Sequence, residues 1–154
     1  MANILWIDDK AGGGTKKRLG FDGLIYFIEK NGHRIDIKAV GDEIEEALSR
    51  HIEYDLIILD IIMDSLPSAT DNNHQFGGFD ALEILIDKKS KIPIIILSVM
   101  SKEMIYEESN RRHLDLGKAG VKIILRKGPI LPSDLAKMVE DILKNNEIVV
   151  AAGD

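Results

Sequence analysis

Residues Asp55-Leu56-Ile57-Ile58-Leu59-Asp60-Ile61-Ile62-Met63 form an almost unbroken apolar run with one carboxylate, Asp60, set into it. A run this short and this rich in Ile and Leu reads as a strand covered on both faces, because a half-exposed strand would alternate apolar with polar residues. Four more runs share that character: Ile4–Ile7, Ile35–Val40, Ile92–Val99 and Val121–Leu125, with the central strand taken over Leu56–Met63. Asp60 is the exception that needs a reason, since an unpaired carboxylate among Ile and Leu is expensive to bury.

Helical spacing fills the gaps between these runs. Lys16–Lys30 puts Leu24, Ile25, Phe27 and Ile28 on one side and stops at Asn31-Gly32, a C-terminal capping signal. Asp42–His51 carries Ile44, Ala47 and Leu48, and Phe79–Lys88 carries Leu82, Ile84, Leu85 and Ile86. Lys102–Lys118 reads as one polar helix with a weak stripe, opened by Ser101 as its N-cap. After Pro132-Ser133, the residues Leu135, Met138, Val139, Ile142 and Leu143 give the clearest helical stripe. Strands alternating with helices imply an α/β fold, a three-layer α/β/α sandwich on a five-stranded parallel sheet. The expected organisation is one domain over residues 1–146 followed by a tail at 147–154.

At 154 residues, with 45% apolar and 30% charged residues, the chain suits one globular domain. It has no cysteine, which excludes disulfides and thiolate metal sites. The opening MANILWIDD lacks the basic and long apolar regions of a signal peptide, and no run is long enough to span a bilayer. The expectation is a cytoplasmic protein with no membrane contact. A net charge of −6 and the lack of a basic patch argue against direct nucleic-acid binding.

The chemistry-bearing residues stand where strands end. Asp8 and Asp9 close the first strand, Asp60 lies in the third, Ser98 ends the fourth and Lys127 the fifth. Ligands of open parallel sheets bind beyond the carboxyl ends of the strands, where strand order reverses; in a flavodoxin-like order 2-1-3-4-5 that point lies between strands one and three. The three acids should therefore converge. Clustered carboxylates repel unless a cation joins them, and Mg²⁺ suits an oxygen site of one or two carboxylates plus a phosphate. Such a pocket favours phosphoryl transfer onto a carboxylate, with a hydroxyl from Ser98 and an ammonium from Lys127 for the phosphoryl oxygens. Each residue alone has a plainer reading as a cap, loop or surface group; the ordered set is what points to a site. Trp6 reads as core close to the acids. His33, His51, His74 and His113 show no metal-ligand spacing, and His74 reads as a surface residue.

These motifs resemble the receiver domains of response regulators. ILWIDD is similar to the family's first strand with its acid pair, DLIILDIIM to its phosphoacceptor strand, GGFDALEIL to the opening of its third helix, PIIILS to its hydroxyl strand and VKIILRKGP to its lysine strand. The resemblance implies that Asp60 is the phosphoacceptor, that Asp8, Asp9, Asp60 and the backbone carbonyl of Ile62 hold Mg²⁺, and that Ser98 and Lys127 contact the phosphoryl group. It implies a histidine kinase, a phosphotransfer protein or a small acyl phosphate as donor. Output would be by contact with a downstream protein, from a monomer or weak dimer and without turnover of an external substrate. The polar fourth helix and the apolar tail Ile148–Ala152 are the segments to watch for that contact. A receiver-like module that no longer switches, and a phosphatase forming an aspartyl phosphate, are the alternatives.

Four departures accompany the resemblance. Asp64 stands where the family has proline, and a polar insertion at 65–78 follows, fit for a lid, a kinase-selecting surface or a floppy loop. Ile124 replaces the family's aromatic switch residue. The Lys-Pro step becomes Lys127-Gly128-Pro129, which leaves Arg126 as a second candidate for the lysine's role. Gly12-Gly13-Gly14 lengthens the loop after the acid pair, without a phosphate-binding Gly-Lys-Ser/Thr signature.

Overall fold

The computed structural model describes residues 1–10, 22–71 and 74–145. Within them five strands, β1 (Asn3–Ile7), β2 (Arg34–Lys38), β3 (Leu56–Leu59), β4 (Ile94–Ser98) and β5 (Val121–Arg126), form one parallel sheet in the order β2-β1-β3-β4-β5. The helices are α1 (Asp22–Lys30), α2 (Gly41–Ser49), α3 (Gly77–Asp87), α4 (Lys102–Arg111), α5 (Leu116–Ala119) and α6 (Pro132–Asn145). The fold is flavodoxin-like. Gly12–Gly14, the first residues of the helix read from Lys16, and the tail Ile148–Ala152 lie outside the described residues.

The strand residues divide between two cores by simple alternation. Leu5, Ile7, Ile57, Leu59, Ile94 and Ile96 face α2, α3, α4 and α5, while Ile4, Trp6, Leu56, Ile58, Ile95 and Leu97 face α1 and α6. Both faces are covered, so the near-continuous apolar runs follow from burial on two sides. At about 25 cal/mol per Å² of buried apolar area, these paired cores supply the main driving force for folding. Trp6, 1% exposed, belongs to the α1/α6 core, as read from the sequence.

Most bounds agree with the sequence reading to within two residues, and two described elements differ by more. The third strand ends at Leu59 rather than Met63, because Asp60 to Met63 turn out of the sheet toward α3. The single helix expected over Lys102–Lys118 is two helices, α4 and α5, separated at His113, which adopts a left-handed φ of 56°. The break lets Leu114 and Leu116 both reach the core, which one continuous helix with so weak a stripe would not achieve. Ser101 does cap α4, its Oγ accepting from the Met104 N–H at 3.3 Å.

Candidate functional site

The sheet ladder itself delivers the acids to one place. One further backbone bond follows the strands: Asp8 N–H donates to Lys38 O at 3.2 Å, and Asp60 N–H donates to Ile7 O at 2.9 Å. Asp8 and Asp60 therefore start from neighbouring points at the carboxyl edge. One carboxylate oxygen from each of Asp8, Asp9 and Asp60 lies within 4.8 Å of the other two. Asp8 and Asp60 are buried, and Asp9 is half-buried at the rim.

Lys127 arrives from the far side. Its N–H donates to Ser98 O at 3.0 Å, and its side chain then crosses the edge of β4 to reach both acids. Nζ donates to Asp8 Oδ2 at 2.6 Å and to Asp60 Oδ2 at 2.7 Å. Lys127 and not the exposed Arg126 meets the acids, and no cis peptide occurs among the described residues. Burial pushes the Asp8 carboxyl above its usual range, with the Asp60 charge adding to this and Lys127 opposing it. Burial works to lower the Lys127 ammonium, but the charges and hydrogen bonds of Asp8 and Asp60 outweigh it and hold the ammonium above its usual range. Such a bridge is charge-assisted on both sides.

Ser98 is fully buried at the end of β4, and its Oγ accepts from Met100 N–H at 3.2 Å. That bond leaves the hydroxyl hydrogen available as a donor. Ile62 follows on the loop after Asp60, its N–H donating to Asp60 Oδ1 at 3.2 Å. The N-terminus of α3 presses directly on this loop. A Cβ added at Gly78 would lie 2.4 Å from Asp60 O, and one at Gly77 would lie 2.0 Å from Asp64 O. The glycine pair of GGFDALEIL is thus required by close backbone approach rather than by a turn.

The donor set fits a hard divalent cation. The close oxygens are carboxylates, Ile62 offers a carbonyl on the same loop, and Asp9 Oδ1 is shielded from solvent with no hydrogen-bond partner among the described residues. The Lys10 ammonium stands 3.6 Å from that oxygen, an ion pair beyond hydrogen-bond reach, which leaves its lone pairs open to a metal ion.

The insertion is fastened to the body at several points. Met63 pairs with Phe76, Ser65 N–H donates to His74 O at 3.2 Å, and Ser68 N–H donates to Glu45 Oε2 on α2 at 2.7 Å. On the other side the buried Asp80 of α3 accepts from Leu66 N–H at 2.9 Å and faces His74 Nε2 at 3.3 Å and Arg112 at 3.9 Å. Burial raises the Asp80 carboxyl, and these partners oppose the rise. His74 is therefore anchored beside α3 and not a free surface residue; Phe76 N–H donates to its Nδ1 at 3.0 Å, which assigns the proton to Nε2, toward Asp80. Sequence reading missed Asp80, whose only signal was a carboxylate in the apolar stripe of a helix. Ile124, at the position of the absent aromatic, is buried in the core beside α4.

No protein-family model matches the chain, and no curated protein matches it in sequence. Solved structures do match in shape. The receiver domain of the Francisella response regulator 1452 is 25% identical, with a TM-score of 0.63 over 96% of this chain and 100% of that one. A CheY-like response-regulator receiver domain protein from Methanospirillum hungatei is 18% identical, with a TM-score of 0.61 over 96% and 97% of the two chains. The signal receiver domain of a modulated diguanylate cyclase from Desulfovibrio desulfuricans is 17% identical, with a TM-score of 0.62 over 96% and 97%. The chain has the fold of response-regulator receiver domains, and its acid cluster fits a Mg²⁺ site.

Proposed function

We propose that this chain is a phosphorylation switch that accepts a phosphoryl group on Asp60 and signals by protein contact. The observation that carries the reading is the Lys127 ammonium bonded to Asp8 and Asp60 together, at the edge where the sheet order reverses. In this reading an Asp60 carboxylate oxygen attacks phosphorus, the bond from phosphorus to the donor breaks, and the electron pair leaves with the donor group. Asp8, Asp9, Asp60 and the Ile62 carbonyl would hold Mg²⁺, which supplies charge neutralisation for the phosphoryl oxygens. Lys127 and the Ser98 hydroxyl would bond the transferred group. The donor would be a histidine kinase, a phosphotransfer protein or a small acyl phosphate. The chain's own chemistry would be limited to gaining and losing that phosphoryl group. Among the described residues no helix is long and apolar enough to cross a membrane, and a cytoplasmic setting accords with that donor.

Incubation with acetyl phosphate and MgCl₂, followed by intact-mass measurement, tests the reading. A hydroxylamine-labile adduct of one phosphoryl group is expected in the wild type and lost in Asp60→Ala or in EDTA. No adduct under any condition would refute it, and an adduct that survives in Asp60→Ala would move the acceptor elsewhere. A second reading, a module that binds partners without switching, is favoured by the buried Ile124 in place of an aromatic. An adduct that leaves the amide spectrum unchanged beyond the pocket would select it.

A further inference from the structure

Lys10 follows the acid pair and holds the pocket with both its backbone and its side chain. Its N–H donates to Asp8 Oδ1 at 2.8 Å, which turns the chain so that the side chain runs back over the rim. Its Nζ donates to the Ile62 carbonyl at 3.4 Å and lies 3.6 Å from Asp9 Oδ1. Those are two of the oxygens that the reading above gives to Mg²⁺. Asp8 Oδ2 and Asp60 Oδ2 are taken by Lys127. Two ammonium groups thus divide the oxygens of the pocket between them.

The two lysines are not held equally. The Lys127 side chain is 12% exposed, whereas that of Lys10 is 59% exposed. An exposed ion pair is weak and solvent-screened, so Lys10 is the group that yields cheaply. A divalent cation bonded to the Ile62 carbonyl and Asp9 would stand beside the Lys10 ammonium, and the two charges would repel at contact distance.

We infer that Lys10 competes with the divalent cation for Asp9 and the Ile62 carbonyl, so that metal binding requires its ammonium to swing out and its presence sets the metal affinity. This inference rests on the Mg²⁺-dependent reading proposed above. It assigns a function to a residue outside the acid–hydroxyl–lysine set: an intramolecular cation that keeps the pocket neutralised and raises the Mg²⁺ concentration at which the pocket fills.

Calorimetric titration of MgCl₂ into the full chain at fixed ionic strength tests it, with Lys10→Met and Lys10→Arg beside the wild type. Lys10→Met should bind Mg²⁺ about fivefold more tightly, the scale of one exposed charge contact, and Lys10→Arg should stay within about twofold of the wild type. A metal-free readout stands beside it: the ¹³C′ resonance of Ile62 should move in Lys10→Met, where its carbonyl loses the ammonium. Equal affinity of wild type and Lys10→Met, or an unmoved Ile62 resonance, overturns the competition and leaves the metal reading standing. Absence of Mg²⁺ binding in every protein, wild type included, refutes the metal reading and this inference with it.

Discussion

Replacing Lys127 with methionine removes the ammonium that joins Asp8 to Asp60 and leaves two buried carboxylates facing each other. Removing one partner of a buried ion pair costs about 3–5 kcal/mol. Here the lysine side chain is 12% exposed at the mouth of the pocket, so water softens the loss, and the lower end, about 3 kcal/mol, is expected at pH ~7. For a chain of this size that is a fall in Tm of roughly 6–12 °C. The loss should depend on pH, and the sign follows from Asp8. Its folded pKa is already raised above 3.8, by burial first and by Asp60 second, with Lys127 opposing. Without Lys127 it rises further. A carboxyl that keeps its proton in the folded state after the unfolded chain has lost it makes stability fall as pH rises through the window between the two values. The gap between wild type and variant should therefore be small near pH ~4 and largest at neutral pH. Urea denaturation in EDTA across that range measures it. Adding Asp60→Asn to Lys127→Met should recover more than half of the loss, because the repulsion is then gone. A Lys127→Met protein with wild-type stability at neutral pH, or a gap that does not change with pH, would refute the account of the pocket as two buried acids held by one lysine.

Two further outcomes follow from geometry elsewhere. Gly78→Ala must push the start of α3 off Asp60 O and the Ile61 backbone, and should cost about 1–3 kcal/mol in urea denaturation while slowing adduct formation at Asp60. Tyr54, whose hydroxyl donates to Asp36 Oδ2 at 2.5 Å, has its pKa pushed up to about 12 by burial and by that partner. Below pH 10 the wild type should exceed Tyr54→Phe by about 1 kcal/mol. Because the folded value is the raised one, that advantage should shrink as pH climbs from 10.0 toward about 12, read as converging urea midpoints.

The strands and the site's main acids were legible because each is a one-dimensional signal: buried strands are apolar runs, and a carboxylate in such a run stands out. Asp8, Asp60 and Lys127 meet in the structure because the ladder carries each chain one bond past its strand, a regularity that sequence spacing preserves. What remained hidden depends on contacts between segments distant in sequence. The left-handed turn at His113 is set by where Leu114 and Leu116 must be buried, not by local propensity. Asp80 reads as one helical acid until Leu66, His74 and Arg112 are seen to converge on it. Lys10 has no motif at all; its role comes from a loop 52 residues away.

The joint between α3 and the Asp60 loop has a mechanical consequence. Backbone rests on backbone there: Gly78 N–H donates to Ile61 O at 3.1 Å and Gly77 N–H to Met63 O at 2.8 Å, with no side chain between. A side chain can absorb a small displacement by changing rotamer, whereas two peptide planes in contact cannot. A displacement of the Asp60 loop would therefore bear directly on α3, whose Asp80 holds Leu66, His74 and Arg112. Under the phosphorylation switch proposed above, α3 would serve as a push-rod seated directly on the Asp60 loop, a linkage that has no need of an aromatic ring at Ile124.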